Sequence, residues 1–420
     1  MRSVYEKPDL VKANIKKEVS LDRVVGPFTF RPFPTLRVSP IEIVPKNDGD
    51  FRMIHHLCHP THYSVSDFIT IEFCTVKYAS IDDAVSLEQR IGKNGKLAKV
   101  DIKSAFRFLR VFSVDFDQLG FMFDDKYYFD KCLPMGASIS CALFEKLSTA
   151  LHWFTETRTG NRDILHYLDD FLFGGEADST RCKDTLFEFK GICELWGVPL
   201  AEDKTIEPTE VLTFLGVEFD TRDMILRLPG GKLEEVKSRL QNVMKANKVT
   251  LRDLQSLIGL LNFACLAFAP GRTFIRRLVD ATCNVNKLHH KIRVTKAIKE
   301  DLKVWLTFLT DYNGVTVMLD NLWSSNETIE FYADSAGGSN RGFGIYFQGK
   351  WARACWPKDW IDNQLLADIT FLEMFPIVVA INIWGASLKN KKILFNNDNQ
   401  AVIAILYKKT SKSERTQYFV

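Results

Sequence analysis

Two adjacent aspartates, Asp169 and Asp170, interrupt an apolar, strand-like run and are followed by Gly174 and Gly175. Aspartate is a poor strand former, and an unpaired carboxylate is costly to bury. An isolated aspartate pair is most often the polar tip of a hairpin. Because apolar residues lie closely on both sides of this pair, the pattern favours a functional site at a turn between two strands.

A third carboxylate, Asp101, stands at the end of another short strand pattern, after which the apolar spacing becomes helical. A carboxylate at a strand exit can meet an aspartate hairpin on a neighbouring strand, and three such groups form an oxygen-ligand site suited to Mg²⁺. Two ions held in this way can activate a hydroxyl nucleophile and stabilise a pyrophosphate leaving group. Either motif alone is weak, but the two together predict metal-dependent phosphoryl transfer.

Length and composition indicate what kind of protein carries these acids. The chain has 420 residues, 46% hydrophobic and 25% charged, which is the balance of a soluble globular protein. This length predicts two or three domains. The 55 Lys+Arg residues nearly balance the 52 Asp+Glu residues, so a nucleic-acid partner would have to be held by local charge.

Changes in periodicity along the chain divide it further. Short apolar runs alternate with helical patterns from about 51 to 240, as in an α+β domain. The strand patterns then stop, and Thr250 begins a helical pattern with a capping-box-like start. Strand patterns resume near residue 328. These changes predict three regions, namely 1–240, 241–325 and 326–420.

The cysteines and the apolar stretches bear on location. Nine cysteines are scattered without a CxxC pair, and the first residues lack the apolar core of a secretory signal. This predicts reduced thiols in an intracellular compartment, with cytoplasm and nucleus both open. The apolar stretches 257–269 and 374–388 are shorter than the roughly 20 residues of a membrane span, so they predict buried helices and no membrane partner.

A run of histidines and a cysteine over residues 55–62 could bind zinc. Its spacing fits no common zinc finger, and Pro60 limits how the chain could wrap around a tetrahedral ion. The sequence therefore favours ordinary structural roles for these side chains.

Several segments, in their order, resemble the motifs of reverse transcriptases. VDIKSAF (100–106), LPMGASISCALFEK (133–146) and YLDD (167–170) resemble palm motifs A, B and C. VPKNDGDFRMIHHL (44–57) resembles the hairpin of the fingers. GVPLAEDKT (197–205) resembles motif D, and TFLGVEFD (213–220) resembles the primer grip. YASIDDA, KYYFDKCLPMG and SLIGLLNFAC are most similar to the polymerase–ribonuclease H polyprotein of DIRS-like retrotransposons, the tyrosine-recombinase elements. The resemblance implies an α+β right-hand polymerase with fingers, palm and thumb, followed by a partial ribonuclease H-like α/β domain.

The resemblance implies roles for the acidic residues and one lysine. Asp101, Asp169 and Asp170 would be the catalytic, metal-binding carboxylates. Lys204 matches the motif D lysine thought to protonate pyrophosphate, although a lone lysine is ordinarily a surface residue.

Five residues are implied in binding the deoxynucleoside triphosphate. Lys46 and Arg52 would grip the triphosphate as fixed cations, and a solvated hairpin is their structural alternative. Phe106 matches the steric gate that excludes a 2′-hydroxyl, and a core aromatic residue is nearly as good an interpretation. Met135 would pack against the sugar or the template base, and Gly136 would let the backbone approach the nucleotide closely.

Residues 271–303 contain nine lysines and arginines but only three acidic residues, a net charge of +6. A solvated helix face would be expected to carry more balanced charge. In the thumb position this segment predicts contacts with the nucleic-acid backbone. The residues assigned to these contacts are Arg272, Arg276, Arg277 and Lys291.

Three later acids, Asp334, Glu373 and Asp398, resemble the metal site of ribonuclease H in their order on a strand, a helix and a second strand end. Singly, they could be an Asx turn, an interface charge and a helix N-cap. Members of the family continue to a histidine and a fourth carboxylate, whereas neither Asp nor His follows Asp398 here. The expectation is a C-terminally truncated domain with impaired ribonuclease H activity.

The function implied by the resemblance is attack of a primer 3′-hydroxyl on a deoxynucleoside triphosphate, templated by RNA and also by DNA. Mg²⁺ is the implied cofactor, with Mn²⁺ as an alternative. The implied partners are an RNA template, a DNA primer, deoxynucleoside triphosphates and other proteins of the element. Two alternatives stay open: an inactive relic that only binds nucleic acid or proteins, and a polymerase of LTR-type elements.

Overall fold

The structure is a computed structural model that describes residues 2–45, 51–311, 313–316, 324–363, 365–388, 391, 393, 394, 396–417 and 419. Contacts divide the chain into two compact units. The first unit comprises 1–215 with 219–224, and the second comprises 216–218 with 225–420. The second unit thus includes residues 225–240, which the sequence pattern groups with the palm; the three regions predicted from the sequence stay a prediction.

The first unit mixes helices and antiparallel strands. Its helices are α1 (Arg2–Glu6), α2 (Pro8–Ser20), α3 (Ile81–Ile91), α4 (Ala105–Phe108), α5 (Ser140–Thr159) and α6 (Arg181–Trp196). Its strands are β1 (Val24–Phe28), β2 (Ile41–Pro45), β3 (Phe51–His55), β4 (Lys96–Asp101), β5 (Gly120–Phe123), β6 (Lys126–Asp130), β7 (Ile164–Tyr167), β8 (Asp170–Gly175), β9 (Ile206–Thr209) and β10 (Val211–Phe214). Strand β11 (Val217–Asp220) follows at the division between the units.

A four-stranded antiparallel sheet in the order β7–β8–β4–β9 carries the candidate site. Helices α5 and α6 pack against it, around a core that contains Phe144, Phe171, Phe173 and Phe189. The glycines after the aspartate pair have a packing role, because a Cβ atom on Gly175 would lie 2.6 Å from the backbone nitrogen of Cys182. The close approach of α6 to β8 therefore needs a residue without a side chain.

The remaining strands of the first unit form the hairpin β2–β3 and the sheet β1–β6–β5. A buried ionic network ties these parts together. Asp130 accepts hydrogen bonds from His55 Nδ1 at 2.9 Å and from Arg107 at 2.6 Å, and Arg107 also donates to Glu18 at 2.9 Å. Burial opposes ionisation of Asp130, but Arg107 and His55 outweigh it and lower the pKa of this carboxyl group.

The run of histidines near His55 has other partners in the structure. His55 belongs to the Asp130 network, His56 Nε2 lies 2.8 Å from a carboxylate oxygen of Glu42, and the Cys58 thiol donates to Ser66. These contacts attach the side chains of His55, His56 and Cys58 to other parts of the fold. The sequence favoured structural roles of this kind over zinc binding.

The second unit begins with a helical part and ends with a small sheet. Its helices are α7 (Gly230–Lys245), α8 (Leu251–Ala264), α9 (Arg276–Thr282), α10 (Lys296–Asp311), α11 (Asn326–Ile329), α12 (Lys358–Asp362), α13 (Ile369–Trp384), α14 (Gln400–Lys408) and α15 (Glu414–Gln417). Its strands are β12 (Ile225–Arg227), β13 (Lys248–Thr250), β14 (Lys291–Arg293), β15 (Val315–Thr316), β16 (Phe331–Ser335), β17 (Gly342–Phe347) and β18 (Lys350–Cys355).

Helices α7 to α10 pack around a core centred on the fully buried side chains of Leu257, Leu261 and Trp305. The predicted start of α8 is confirmed, because Thr250 is its N-cap and its side chain accepts a hydrogen bond from the backbone N–H of Asp253 at 3.2 Å. Such a cap satisfies one of the free N–H groups of the first helical turn.

The small sheet has the antiparallel order β16–β17–β18, and α13 packs against β16 and β17. Among the described residues, one helical segment, Ile369–Leu388, is long and apolar enough by length and composition to cross a membrane. This is weak evidence, because the core helix of a soluble protein passes the same test. A third of the segment is buried within the fold.

Candidate active site

The strand register brings the two acidic motifs together. In the antiparallel pair β4–β8, Asp101 lies directly opposite Asp170. Asp169 stands in the tight turn between β7 and β8, and its carbonyl oxygen accepts a hydrogen bond from the backbone N–H of Ile102 at 2.9 Å. The structure therefore places the three predicted carboxylates at one end of the sheet.

The turn that carries Asp169 has a strained backbone that α5 holds in place. Leu168 has a φ of +52°, which is uncommon for a residue with a branched side chain. The Ser148 hydroxyl donates to the Leu168 carbonyl oxygen at 2.7 Å. Burial raises the pKa of Glu145, and a backbone hydrogen bond from Leu168 opposes that rise. One helix thus holds both polar backbone groups of the residue before Asp169.

A pair of half-buried histidines extends this arrangement. His166 Nδ1 lies 2.8 Å from His152 Nδ1, and His166 Nε2 lies 3.1 Å from the Glu145 carboxylate. Burial, with the charge of His152, lowers the pKa of His166 to about 4. His166 is therefore neutral at physiological pH, and its ring acts as a spacer between α5 and the aspartate turn.

The electrostatics of the three carboxylates indicate an attraction for cations. Burial, together with the charges of Asp101 and Asp170, raises the pKa of Asp169 to about 6. Burial also raises the pKa of Asp101, although Lys204 opposes the shift. A positive charge placed between carboxylates crowded in this way stabilises their ionised forms.

Two lysines already contact these acids. Lys204, in the 3₁₀ turn Glu202–Lys204, has its Nζ atom 3.2 and 3.3 Å from the two carboxylate oxygens of Asp101. Lys99 Nζ lies 2.8 Å from Oδ1 of Asp170. The sequence analysis singled out Lys204 and missed Lys99. Strand alternation could have indicated Lys99, because residues two apart on a strand share a face and Lys99 precedes Asp101 by two.

The donor set fits a divalent cation. Carboxylate oxygens are the ligands that Mg²⁺ and Mn²⁺ prefer. Burial raises the pKa values of Asp169 and Asp101, so a nearby cation would stabilise their ionised forms. Among the described side chains, no three His, Cys, Asp or Glu residues converge at metal-binding geometry. The carboxylates would therefore have to turn toward an ion, and two of them are in contact with lysines.

The predicted nucleotide-binding residues differ in how they are placed in the structure. Phe106, in α4, is half-buried against the core of the sheet β7–β8–β4–β9, with its ring edge-to-face to Phe144 at 5.4 Å between centroids. This packing agrees with the core role, and the steric gate stays a prediction. Arg52 is exposed on β3, opposite Val44. Lys46 lies outside the described residues.

The segment of Met135 and Gly136 lies against strand β3. The His55 N–H donates to the Met135 carbonyl oxygen at 2.8 Å. Gly136 has a φ of +125°, and a Cβ atom there would lie 2.2 Å from the His55 carbonyl oxygen. Glycine is therefore required at this position by both backbone conformation and space.

In the second unit, two of the four predicted backbone-binding cations have acidic partners. Arg276 donates to Asp280 at 3.1 Å, and Arg277 donates to Asp301 at 2.6 Å. Arg272 and Lys291 are exposed. Two of the four assigned cations are therefore already paired with acids, and these acids are included in the net charge of +6.

The later acidic residues lie within electrostatic range of one another. Ser335 links two of them, since its N–H donates to Asp334 at 2.8 Å and its hydroxyl donates to Glu373 at 3.1 Å. Burial raises the pKa of Glu373, and the charges of Asp334 and Asp398 raise it further. The suggested N-cap role for Asp398 is wrong, because the side chain of Asn399 caps α14.

The first unit thus has an antiparallel sheet with helices packed against it and a carboxylate hairpin at its end. Residues 44–219 match the family described as reverse transcriptase (RNA-dependent DNA polymerase). This match covers less than half of the chain, and over these residues the chain is similar to a reverse transcriptase domain. None of the curated protein sequences compared with the chain matches it.

Solved structures of foamy viral proteins are similar in fold. The protease-reverse transcriptase dRH in complex with ds DNA has a TM-score of 0.58 at 17% identity, covering 98% of this chain and 66% of the other. The protease-reverse transcriptase in complex with dsDNA has a TM-score of 0.56 at 18% identity, with coverages of 94% and 83%. The complex with an RNA/DNA hybrid has the same score and identity, with coverages of 94% and 54%. The chain thus spans less than two thirds of the first of these proteins. The predicted polymerase architecture is confirmed.

Proposed function

We propose that this chain is the RNA-directed DNA polymerase of a DIRS-like retrotransposon, and that it extends the 3′-hydroxyl of a DNA primer with deoxynucleoside triphosphates on an RNA template. The observation that carries the polymerase function is the opposition of Asp101 and Asp170 across β4 and β8, with Asp169 in the adjoining turn. The family match over residues 44–219 supports it, as do the nucleic-acid complexes named for the foamy viral proteins. The DIRS-like assignment rests on the sequence motifs alone.

The carboxylates would hold the cofactor, Mg²⁺ or alternatively Mn²⁺. Such ions lower the pKa of the attacking hydroxyl and stabilise charge on the leaving pyrophosphate. At neutral pH, Asp169 is largely ionised and available as an oxygen ligand, because its raised pKa is about 6. The turn fixed by Ser148 keeps the Asp169 backbone in one position.

Lys204 is suited to deliver a proton to the leaving group. Burial would lower the pKa of Lys204, but the charges of Asp101, Asp169 and Asp170 outweigh it and raise the value. The ammonium group is therefore protonated at neutral pH and would carry the proton that the leaving group takes. Its exposed position on a short turn allows it to leave Asp101.

The nucleotide would be selected by residues around the sheet end. Phe106 ends the sequence motif that contains Asp101, and its side chain would exclude a 2′-hydroxyl. Arg52, with Lys46, would bind the triphosphate through charge-assisted hydrogen bonds. The Met135–Gly136 segment would offer a backbone surface that a nucleotide can approach closely.

The second unit would bind the nucleic-acid backbone and contain a ribonuclease H-like domain. Arg272 and Lys291 are its exposed candidates for phosphate contacts, which carry no sequence information. The grouping of Asp334, Glu373 and Asp398 supports the ribonuclease H-like assignment. Contacts with other proteins of the element and an intracellular location complete the proposal.

The direct test is primer extension by the full chain with defined substrates. We expect incorporation of dTTP on poly(rA)/oligo(dT) with Mg²⁺ or Mn²⁺, a lower rate on poly(dA)/oligo(dT), and very little incorporation of UTP. Absence of dTTP incorporation on both templates, by protein that binds them, would favour an inactive relic. Equal use of UTP would contradict the assignment to DNA synthesis.

A further inference from the structure

We propose that Lys99 is a positioning residue of the candidate active site: it is the resident counter-ion of Asp170 and keeps this carboxylate away from the divalent cation, which Asp101 and Asp169 then bind. This inference rests on the proposed polymerase function, because it concerns the ion that the same carboxylates would hold. In this view Asp101 and Asp169 are ligands of the ion, and Asp170 is the partner of Lys99.

The contact between the two side chains carries the proposal. Lys99 Nζ lies 2.8 Å from Asp170 Oδ1, and the side chains are only 18% and 26% exposed. The distance would allow a hydrogen bond but the angles do not, since Oδ1 has no hydrogen-bond partner among the described residues. The attraction is therefore coulombic. At this degree of burial it is screened less by salt than a surface ion pair.

The strand register explains why the pair forms. Asp101 faces Asp170 across β4 and β8, and Lys99 is two residues before Asp101 on the same strand. Residues two apart point to the same face of a sheet, so Lys99 extends beside Asp101 toward the same end. The position of Lys99 is fixed by two ladders, because β4 pairs with both β8 and β9.

Lys204 provides an internal comparison. Its side chain is 58% exposed and comes from a short 3₁₀ turn, so it can withdraw from Asp101 when an ion or a phosphate arrives. Lys99 comes from a central strand and is largely enclosed. The lysine on Asp101 is therefore exchangeable, whereas the lysine on Asp170 is a permanent part of the site.

Charge counting leads to the same division. The three carboxylates carry three formal negative charges, and Lys99 neutralises one of them. The two charges left on Asp101 and Asp169 match one divalent cation.

The test is Mn²⁺ binding to the full chain without nucleic acid or nucleotide, measured by electron paramagnetic resonance. Lys99→Met removes the charge and keeps an apolar stem of similar length. We expect it to tighten Mn²⁺ binding roughly tenfold, the scale on which one neighbouring charge changes an ionic equilibrium, because Asp170 becomes free to bind the ion. Adding Asp170→Asn to Lys99→Met should return the affinity to the wild-type value.

Two controls separate this effect from general electrostatics. Lys103→Met removes a charge from an exposed lysine just beyond the same strand and should change the affinity far less. Lys99→Arg keeps the charge and should bind Mn²⁺ as the wild type does. Lys99→Gln replaces Lys99→Met, with the same expected gain, if thermal melts show that the methionine variant does not fold.

The proposal is overturned if Lys99→Met leaves Mn²⁺ affinity unchanged, changes it no more than Lys103→Met, or keeps its gain in the double variant. Failure of the proposed function would look different. Asp169→Asn should weaken Mn²⁺ binding under either view of Lys99, so an unaffected Asp169→Asn variant would contradict the ion site itself. Weakening by Asp169→Asn together with an inert Lys99→Met would contradict only the role of Lys99.

Discussion

Replacement of Asp169 by asparagine should stabilise the first unit while it abolishes polymerisation. Burial and the neighbouring carboxylates raise the pKa of Asp169 from 3.8 to about 6. A carboxyl group whose pKa is raised by folding contributes stability when it is protonated, and this contribution is lost as the pH rises through 6. Each pKa unit corresponds to about 1.4 kcal/mol, so the ionised group costs at most about 3 kcal/mol above pH 7. Asparagine has nearly the same shape and carries no charge.

The pH dependence identifies the cause of the gain. In EDTA at pH 8, Asp169→Asn should raise the unfolding free energy by up to about 3 kcal/mol. The gain should shrink as the pH falls through 6 and vanish below about 4, where the wild-type carboxyl group is protonated in both states. Hydrogen exchange of peptides from β7 and β8 measures this unit separately, which matters because a chain of two units need not unfold in one step.

Asp178→Asn is the matched control, because Asp178 is an exposed carboxylate on the loop after β8. It should leave the exchange of β7 and β8 unchanged at every pH. The reasoning is refuted if Asp169→Asn gives no gain at pH 8, or if its gain is the same at pH 4 as at pH 8.

Three further changes test other parts of the site. Ser148→Ala removes the hydrogen bond to Leu168 and should cost about 1 kcal/mol of stability; kcat for incorporation should fall more than KM changes, and equal kinetics would contradict the role of the turn. Phe106→Ala should admit ribonucleotides if Phe106 is the gate, whereas a loss of about 3–5 kcal/mol with unchanged sugar selectivity would leave it a core residue. Asp334→Asn should remove whatever Mg²⁺-dependent cleavage of an RNA/DNA hybrid the chain shows, and cleavage that persists would contradict the second acidic site. The expectation that this cleavage is weak stays a prediction.

The polymerase architecture could be predicted from the sequence because its motifs combine residue type with local structure. A strand ending in Asp101 and a hairpin bearing Asp169 have local patterns, and the helix beginning at Thr250 has a local cap. The structure has each of these elements where the sequence indicates it. The strand patterns indicated that these acids could meet at the ends of neighbouring strands, and the family resemblance then implied that they form one site.

Other features of the site have no local pattern. Ser148 and Glu145 act on Leu168 from another element, so their roles depend on how α5 packs on the hairpin. The contact of Lys99 with Asp170 depends on strand register. Composition likewise counts Asp301 but cannot show that this acid, from α10, pairs with Arg277.

The central claim is that Asp101, Asp169 and Asp170 form the centre of a DNA polymerase. Single-turnover incorporation of dTTP on poly(rA)/oligo(dT), with binding of the template–primer measured in parallel, tests it most directly. Asp169→Asn and Asp101→Asn should each abolish incorporation while binding stays largely intact, because phosphate contacts and not these acids hold the duplex. Undiminished incorporation by either variant would contradict the claim.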